Sequence, residues 1–543
     1  MTTSYPAHRV GRSAPLYTSA AIALCGFALT YISHATLYAQ TSISVPYSFA
    51  KYSLHFFSQR SNLGTNIVNH IRYSPVHRRV WLAGRNGLVW TDDGGITFNT
   101  ITAVPRFNQN GIQGLDVRGQ RIWASSSRIT EAEGRRFPTG DGLMYSDDGG
   151  TTWREVAQPL DSPADSIERY GFNTLRALPI TVPQQNVIYD IAIGNKDSTV
   201  WVATWSGGIR RTQNNGRSWQ RMVLPPTGRQ RIAPTDTLSF QLEPRRGARG
   251  DLVFLGFSVL QASDGAVWVG TVDGICRTDD PDALYPSWVK FNRTFGGLSG
   301  NWVTAIREQP ATPRLGRAIW AATWQAESRQ EAFGVSWTRD NGNSWQTALL
   351  GERIYDFAFR GDTVYAVGTN GLFISPDGGE TWLNRRGVQD RDNPRLLIQP
   401  QAEMFALGIE PLGRSERLWL GSEDGTATST DGGNTWKILR ADLPVPEGTK
   451  TYAYPNPFAP RLDGSVRIRY ALSQPARVTI RIYDFAMNLV KTVVQNAPRS
   501  RSEEEDFWNG RSDAGTKVAN GVYFYIIQAD GQKPLYGKIM VLE

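Results

Sequence analysis

The chain has 543 residues, 40% of them hydrophobic and 20% charged, with a formal net charge of +8 at pH 7. That length excludes a single small domain, and that balance excludes disordered, collagenous and coiled-coil compositions. Trp 18, Tyr 20 and Phe 22 against Met 6 favour strands over helical bundles, so the expected class is all-β. No run of five like charges occurs, so nucleic-acid binding is not implied.

In chain order, residues 1–40 read as a secretory signal peptide: Arg9 and Arg12, an apolar run from Ser19 to Ile32, then Ala39 and Gln40 before a mature start at Thr41. The run is shorter than the ~20 residues of a membrane span and is broken by Ser33 and His34, so no stable transmembrane segment is expected in the mature protein. Leu24 stands before Cys25 where a bacterial lipoprotein carries a small residue, which argues against lipid attachment. Removing the signal leaves Cys276 alone, so no disulfide forms within the mature chain and stability rests on packing.

From residue 66 onward one motif recurs: an alternating strand, an aromatic strand, a turn, a third strand and an acidic-glycine turn that ends in an aromatic residue. VWLAGRNGLVWTDDGGITF (Val80 to Phe98), VWVATWSGGIRRTQNNGRSW (Val200 to Trp219), VYAVGTNGLFISPDGGETW (Val364 to Trp382) and LWLGSEDGTATSTDGGNTW (Leu418 to Trp436) are full copies. Two more span Ile122 to Trp153 and Ile319 to Trp345 with insertions, and Val267 to Trp288 keeps only its first half. The second-strand aromatics Trp81, Trp123, Trp201, Trp268, Trp320, Tyr365 and Trp419 are 42, 78, 67, 52, 45 and 54 residues apart, and the shorter intervals fit one four-stranded blade. Seven such units predict a seven-bladed β-propeller over residues 41–440.

The turns SDDGGTTW, TRDNGNSW, SPDGGETW and STDGGNTW resemble the Asp box of BNR-repeat, sialidase-like propellers, and the resemblance covers most of residues 66 to 442. Asp93, Asp148, Asp340, Asp377 and Asp431 are its acidic positions; Phe98 replaces the terminal Trp in the first copy, and Asn214 the Asp in the third. A short carboxylate accepting turn N–H groups, with Gly at positive φ, makes the box a structural lock. One Asp per turn falls short of the six or more oxygens that Ca²⁺ takes, so no metal is expected.

Strand parity puts these turns on the same face as the first-to-second turns, and the long insertions on the opposite face: Ser125 to Gly140, Gln325 to Phe333, and the connections Arg154 to Val187 and Gln220 to Leu252. Loop elaboration marks that face as the binding surface. Trp205 and Trp324 end second strands there and are candidates for stacking on sugar rings, set against a reading in which they pack beneath the insertions, with Tyr189 and Tyr355 beside them. Asp190 and Asp356 hold matching inner-strand positions. They are candidates for the acid and base of a glycosidase, set against a reading in which neighbouring N–H groups satisfy them. The arginine cluster and Tyr–Glu pair of a sialidase are not assignable, and Arg128, Arg135 and Arg136 read as loop solubilisers. No zinc cluster, P-loop, dinucleotide fingerprint or G-x-S-x-G motif stands in its required context, and no cofactor is expected.

Residues 441–451, ADLPVPEGTKT, read as a linker, and residues 452–543 as a small Ig-like β-sandwich. Val522, Phe524 and Ile526 alternate with Tyr523, Tyr525 and Ile527, and the cluster Glu503 to Asp506 reads as a solvated edge or loop. YPNPF, RVTIRIYDFAMNLV, FWNGRSDAG, NGVYFYII and KIMVLE, in that order, resemble the Ig-like module shared by FlgD-like domains and type IX secretion sorting domains. Met487-Asn488 departs from the Gly that the family commonly places there. The resemblance implies export to the periplasm, passage through a translocon of the type IX secretion machinery, and release or attachment at the cell surface. Lys538, Ile539, Met540, Val541 and Leu542 would form the sorting strand. The expected function is a non-enzymatic propeller that binds a protein or polysaccharide ligand on its loop face; the alternatives are an extracellular glycoside hydrolase and a periplasmic assembly scaffold.

Overall fold

The computed structural model describes residues 63 and 65–542 except 86, 106, 108–109, 133, 197, 246–250, 327–329, 393–395, 401, 441–450, 455, 461–464 and 500–502. The expected signal, residues 1–40, and all but the last residue of the expected linker lie outside the described residues.

Seven sheets each contain four sequential antiparallel strands. Their inner strands are Val68–Ser74, Gly111–Arg118, Ile188–Ile193, Gly256–Gln261, Trp302–Gln309, Ile354–Arg360 and Met404–Leu412. Each inner strand packs beside those of the blades before and after it, and the first beside the seventh, so the sheets close into a ring. Among the described residues, blades 1 and 7 are each built from one continuous stretch. At their joint Ile71 of blade 1 packs with Ala406 and Trp419 of blade 7, and Gly425 donates its N–H to the Asn66 carbonyl at 2.8 Å.

The repeated aromatics explain how blades join. Trp81, Trp123, Trp201, Trp268, Trp320 and Trp419 are fully buried on the second strands, with Tyr365 nearly so. Onto each packs the aromatic that ends the acidic turn of the next blade: Trp153 meets Trp81 edge-on at 6.0 Å, Trp345 meets Trp268 at 6.2 Å and Trp382 meets Trp320 at 6.3 Å. Gly150 shows why the turn needs glycine. Its φ is +90°, and a Cβ there would lie 2.5 Å from the Trp81 ring.

The long connections are more ordered than loops. The blade 2 insertion continues the sheet as a hairpin of Arg121–Ala132 and Arg135–Ser146. Ile167–Tyr170 and Asn173–Ala177 pair with Gln241–Leu242 in an accessory sheet, and Arg231–Ile232 adds a fifth strand to blade 4.

After the ring, two sheets share one core. Thr451–Tyr454, Val466–Ala471 and Glu503–Trp508 form the first, and Leu489–Arg499, Ala476–Tyr483, Gly521–Ala529 and Leu535–Val541 the second. Tyr523, Tyr525 and Ile527 point into that core, while Val522, Phe524 and Ile526 are half-buried on the outer face. Met487 adopts φ +64°, the left-handed conformation that glycine favours, so the turn keeps its shape without one. The acidic run is not solvated as the sequence suggested, because cations reach it. Arg499 and the Tyr470 hydroxyl each lie 2.7 Å from Asp506, and Arg440 and the Tyr454 hydroxyl hold Glu505.

Glu505 also belongs to the junction between sandwich and ring. Asp424, in the second-to-third turn of blade 7, is paired with Arg440 at 3.1 Å and with Arg467 of the sandwich. Arg440 reaches on to Glu505 at 3.2 Å, and all four side chains are largely buried. A buried set of this kind requires every charge to be met, which fixes where the sandwich docks.

Candidate functional site

All seven inner strands carry a β-bulge at the same register position, between the first paired residues and the rest of the strand. The extra residues are Asn69, Gln113, Tyr189, Phe257, Thr304, Tyr355 and Phe405. Each is half-buried between buried neighbours, so the bulges form a ring where the inner strands begin, on the insertion-bearing side. Two expected ligand residues, Tyr189 and Tyr355, stand in this ring.

Behind it runs a chain of aromatic contacts. Tyr189 stacks on Phe257 at 4.3 Å, Phe257 meets Trp302 at 5.7 Å, Trp302 meets Trp324 at 5.7 Å, Trp324 meets Tyr355 at 5.3 Å and Tyr355 meets Phe405 at 5.4 Å. Glu403 accepts the Tyr355 hydroxyl at 2.9 Å and so orients that ring. Trp205 and Trp324 are not exposed platforms. They are 5% and 4% accessible, packed with Trp302, Leu252, Leu255, Val272 and Ala326, and the Trp324 indole donates to the Ile354 carbonyl at 3.1 Å. They support the ring from beneath.

One residue past the bulges of blades 3 and 6 stand Asp190 and Asp356. Both are buried, and both face Arg307 of blade 5: Nη1 lies 3.6 Å from Asp190 and Nε 2.8 Å from Asp356. The second approach is ionic in character, since neither Nε nor that carboxylate oxygen has a hydrogen-bond partner of acceptable angle. Arg72 of blade 1 adds a cation 3.8 Å from Asp356.

The carboxylates also tie blades together through backbone N–H groups. Asp116 accepts from Ile193 at 2.7 Å, Asp190 from Val259 at 3.2 Å and Asp356 from Leu407 at 3.3 Å, each reaching the inner strand of the following blade. Burial raises the pKa of Asp116 and Asp190, and the two guanidinium groups and the N–H donors oppose that rise. Burial works against the charge of Arg307, but Asp356, Asp190 and Asp116 outweigh it and raise its pKa. His70 is taken down to about 3, first by burial and then by Arg72, so it is neutral at pH 7. Acid–base work needs a carboxyl group free to exchange its proton with a substrate, and here Asp190 and Asp356 each face a guanidinium group and accept a backbone N–H group.

The acidic turns on the opposite face repeat one geometry. Asp148 accepts from the hydroxyls of Ser146 and Thr152 and the N–H groups of Thr151 and Thr152. Asp93, Asp340, Asp377 and Asp431 accept equivalent bonds. For Asp148 the Thr152 hydroxyl leads in lowering the pKa to about 2; for Asp377 and Asp431 burial opposes the charge, and the bonds from Thr381 and Thr435 outweigh it to give about 2. In blade 3, Asn214 accepts from Thr212 and from the Ser218 N–H. Blade 4, degenerate in sequence, keeps the lock through Asp280, which accepts from Thr278 at 2.6 Å. Among the described residues no group of three or more His, Cys, Asp and Glu converges as a metal site.

Lys538, Ile539, Met540, Val541 and Leu542 form the end of the final strand and the residue after it. Ile539 and Val541 are buried, and Lys538, Met540 and Leu542 face outward. The free edge of this segment is occupied. Phe458 donates its N–H to the Met540 carbonyl at 2.7 Å and accepts from Leu542 at 2.9 Å, and the Asn456 amide bonds Lys538 and Met540.

The bulge residues Asn69, Gln113, Phe257 and Phe405, with Arg72 and Arg307, were not marked by sequence. A bulge breaks the two-residue alternation, which is the signal that assigns a side chain to a face. Their fixed offset from Asp190 and Asp356 was the usable clue.

No protein-family model matches the chain, and no curated protein matches it. Solved structures do. YCF48 from Cyanidioschyzon merolae is 17% identical over 69% of this chain and 98% of its own, with a TM-score of 0.40. PorZ, a surface component of the type-IX secretion system of Porphyromonas gingivalis, is 14% identical over 88% of this chain and 81% of its own, with a TM-score of 0.31. An ancestral GH74 enzyme is 12% identical over 88% of this chain and 72% of its own, with a TM-score of 0.31. These likenesses are of propeller architecture; among the described residues, no helix is long and apolar enough to cross a membrane.

Proposed function

We propose that the chain is an exported recognition propeller of the Asp-box type, which binds a protein or polysaccharide ligand on its insertion-bearing face and turns over no substrate there. The observation that carries this reading is the engagement of Asp190 and Asp356. One guanidinium group faces both, and each accepts the backbone of the next blade, so they act as braces. Residues 1–40 are the export signal, 41–440 the propeller, 441–451 the linker and 452–543 a sorting domain read by the type IX secretion machinery, which places the protein outside the cell or on its surface. With the edge of the final strand occupied, the machinery reads that segment through its outward side chains Lys538, Met540 and Leu542.

The test is a panel of polysaccharides and proteins offered to the mature chain, scoring binding and reducing-end release together. Binding without release supports the proposal. Release that Asp190→Asn or Asp356→Asn abolishes would overturn it. Export is tested separately: a chain ending at residue 451 should stay in the periplasm, and its appearance outside the cell removes the sorting role.

A further inference from the structure

The geometry points to a saccharide site at the mouth of the ring: we propose that the bulge residues Gln113, Tyr189, Phe257, Tyr355 and Phe405 receive the uncharged terminal sugars of an oligosaccharide. The proposal rests on the recognition reading above and gives it a ligand class and a place. Its first support is the distribution of side chains. Tyr189, Phe257, Tyr355 and Phe405 put half-buried rings on blades 3, 4, 6 and 7, whereas Gln113 puts a carboxamide on blade 2; the Asn69 amide of blade 1 is spent on the Ile112 carbonyl at 2.9 Å. A pyranose presents an apolar C–H face and an equatorial belt of hydroxyls. It needs aromatic surface on one side and groups that both donate and accept hydrogen bonds on the other, and carboxamides do both.

The second support is rigidity. The rings are held by edge-to-face contacts with buried Trp302 and Trp324, and Tyr355 is further fixed by Glu403, so little side-chain entropy is lost on stacking. The third is charge. Beneath the mouth Arg72 and Arg307 are met by Asp116, Asp190 and Asp356, so these two cations are already engaged and do not select for a sialate or uronate carboxylate. A neutral sugar asks for none.

The experiment titrates the mature chain with hexasaccharides of glucose, mannose, xylose and N-acetylglucosamine, with sialyllactose, and with a mixed peptide library, by calorimetry and tryptophan fluorescence. Phe257→Ala and Phe405→Ala are each expected to weaken a neutral hexasaccharide about tenfold, the loss of one stacking contact. Gln113→Ala, which removes no packing surface from the core, should weaken it a few-fold. Unchanged melting temperatures show that the losses are local. Saccharide binding that these substitutions leave intact overturns the mouth as the site while the recognition reading stands. Binding of sialyllactose or peptides alone overturns the ligand class. Failure to bind any saccharide, peptide or protein overturns both.

Discussion

Arg307→Met tests whether the central charges brace the ring. Methionine keeps most of the stem volume and removes the guanidinium group that faces Asp190 at 3.6 Å and Asp356 at 2.8 Å. Both carboxylates are then buried, with only Arg72 at 3.8 Å from Asp356 remaining. Removing one partner of a buried ion pair costs about 3–5 kcal/mol. With about 2.1 cal/mol/K of unfolding entropy per residue over roughly 370 residues, that is a fall of about 4 to 6 °C in melting temperature, read by near-ultraviolet circular dichroism. The deficit should depend on pH. Losing the cation raises the folded-state pKa of buried Asp190 further. A group whose folded pKa is raised is no burden below its unfolded value near 3.8 and becomes one as pH rises through the folded value. The gap between variant and parent should therefore narrow from pH 7 toward pH 4, and Asp356→Asn in the variant background should recover part of it. A gap that is constant with pH, or a fall under 1 °C, would refute the bracing argument.

The acidic turns predict the opposite pH response: carboxylates held at about 2 contribute stability above pH 3.8 that is lost as pH falls through 2, so the parent chain should melt progressively lower across that window in an acid titration. Asp377→Ala should cost about 1–3 kcal/mol in a denaturant midpoint through its lost acceptors, and Asp377→Asn less, because Asn214 already serves blade 3; equal losses would show that charge, not hydrogen bonding, sets the lock. Trp324→Ala should destabilise the ring by about 3–5 kcal/mol as a cavity, and a mild effect would mean the side chain is free to move to the surface. Asp424→Ala should speed limited proteolysis between ring and sandwich several-fold, since it removes the shared partner of Arg440 and Arg467.

The blade order was legible in the sequence because the second-strand aromatics and acidic turns solve one packing problem seven times. Where a blade lost its spelling, as around Asp280, the geometry persisted: a Thr and an Asp two apart suffice to make the turn. The site was less legible. Trp205 and Trp324 left two readings open, stacking platforms or packing beneath the insertions, and the elements around Leu252 and Ala326 cover them. The partners of Asp190 and Asp356 come from blades 1 and 5, far away in sequence, and no local period marks an arginine that reaches across a channel. The acidic run at 503–506 misled for the same reason, since Arg440 and Arg499 approach it from other strands.

The joint between blades 1 and 7 sets an order of assembly. Each blade is a local unit that can form as soon as its own residues have emerged, and six of the seven joints connect blades consecutive in sequence. The seventh joins Ile71 to Ala406 and Trp419, and the Gly425 N–H to the Asn66 carbonyl, more than three hundred residues apart, and carries the largest loop-closure cost of any joint in the ring. It must be the last to form and the first to part. A circular permutant that joins blade 7 to blade 1 and opens the chain between blades 3 and 4 would move the weak seam there, so protection of blades 1 and 7 against hydrogen exchange should rise while that of blades 3 and 4 falls.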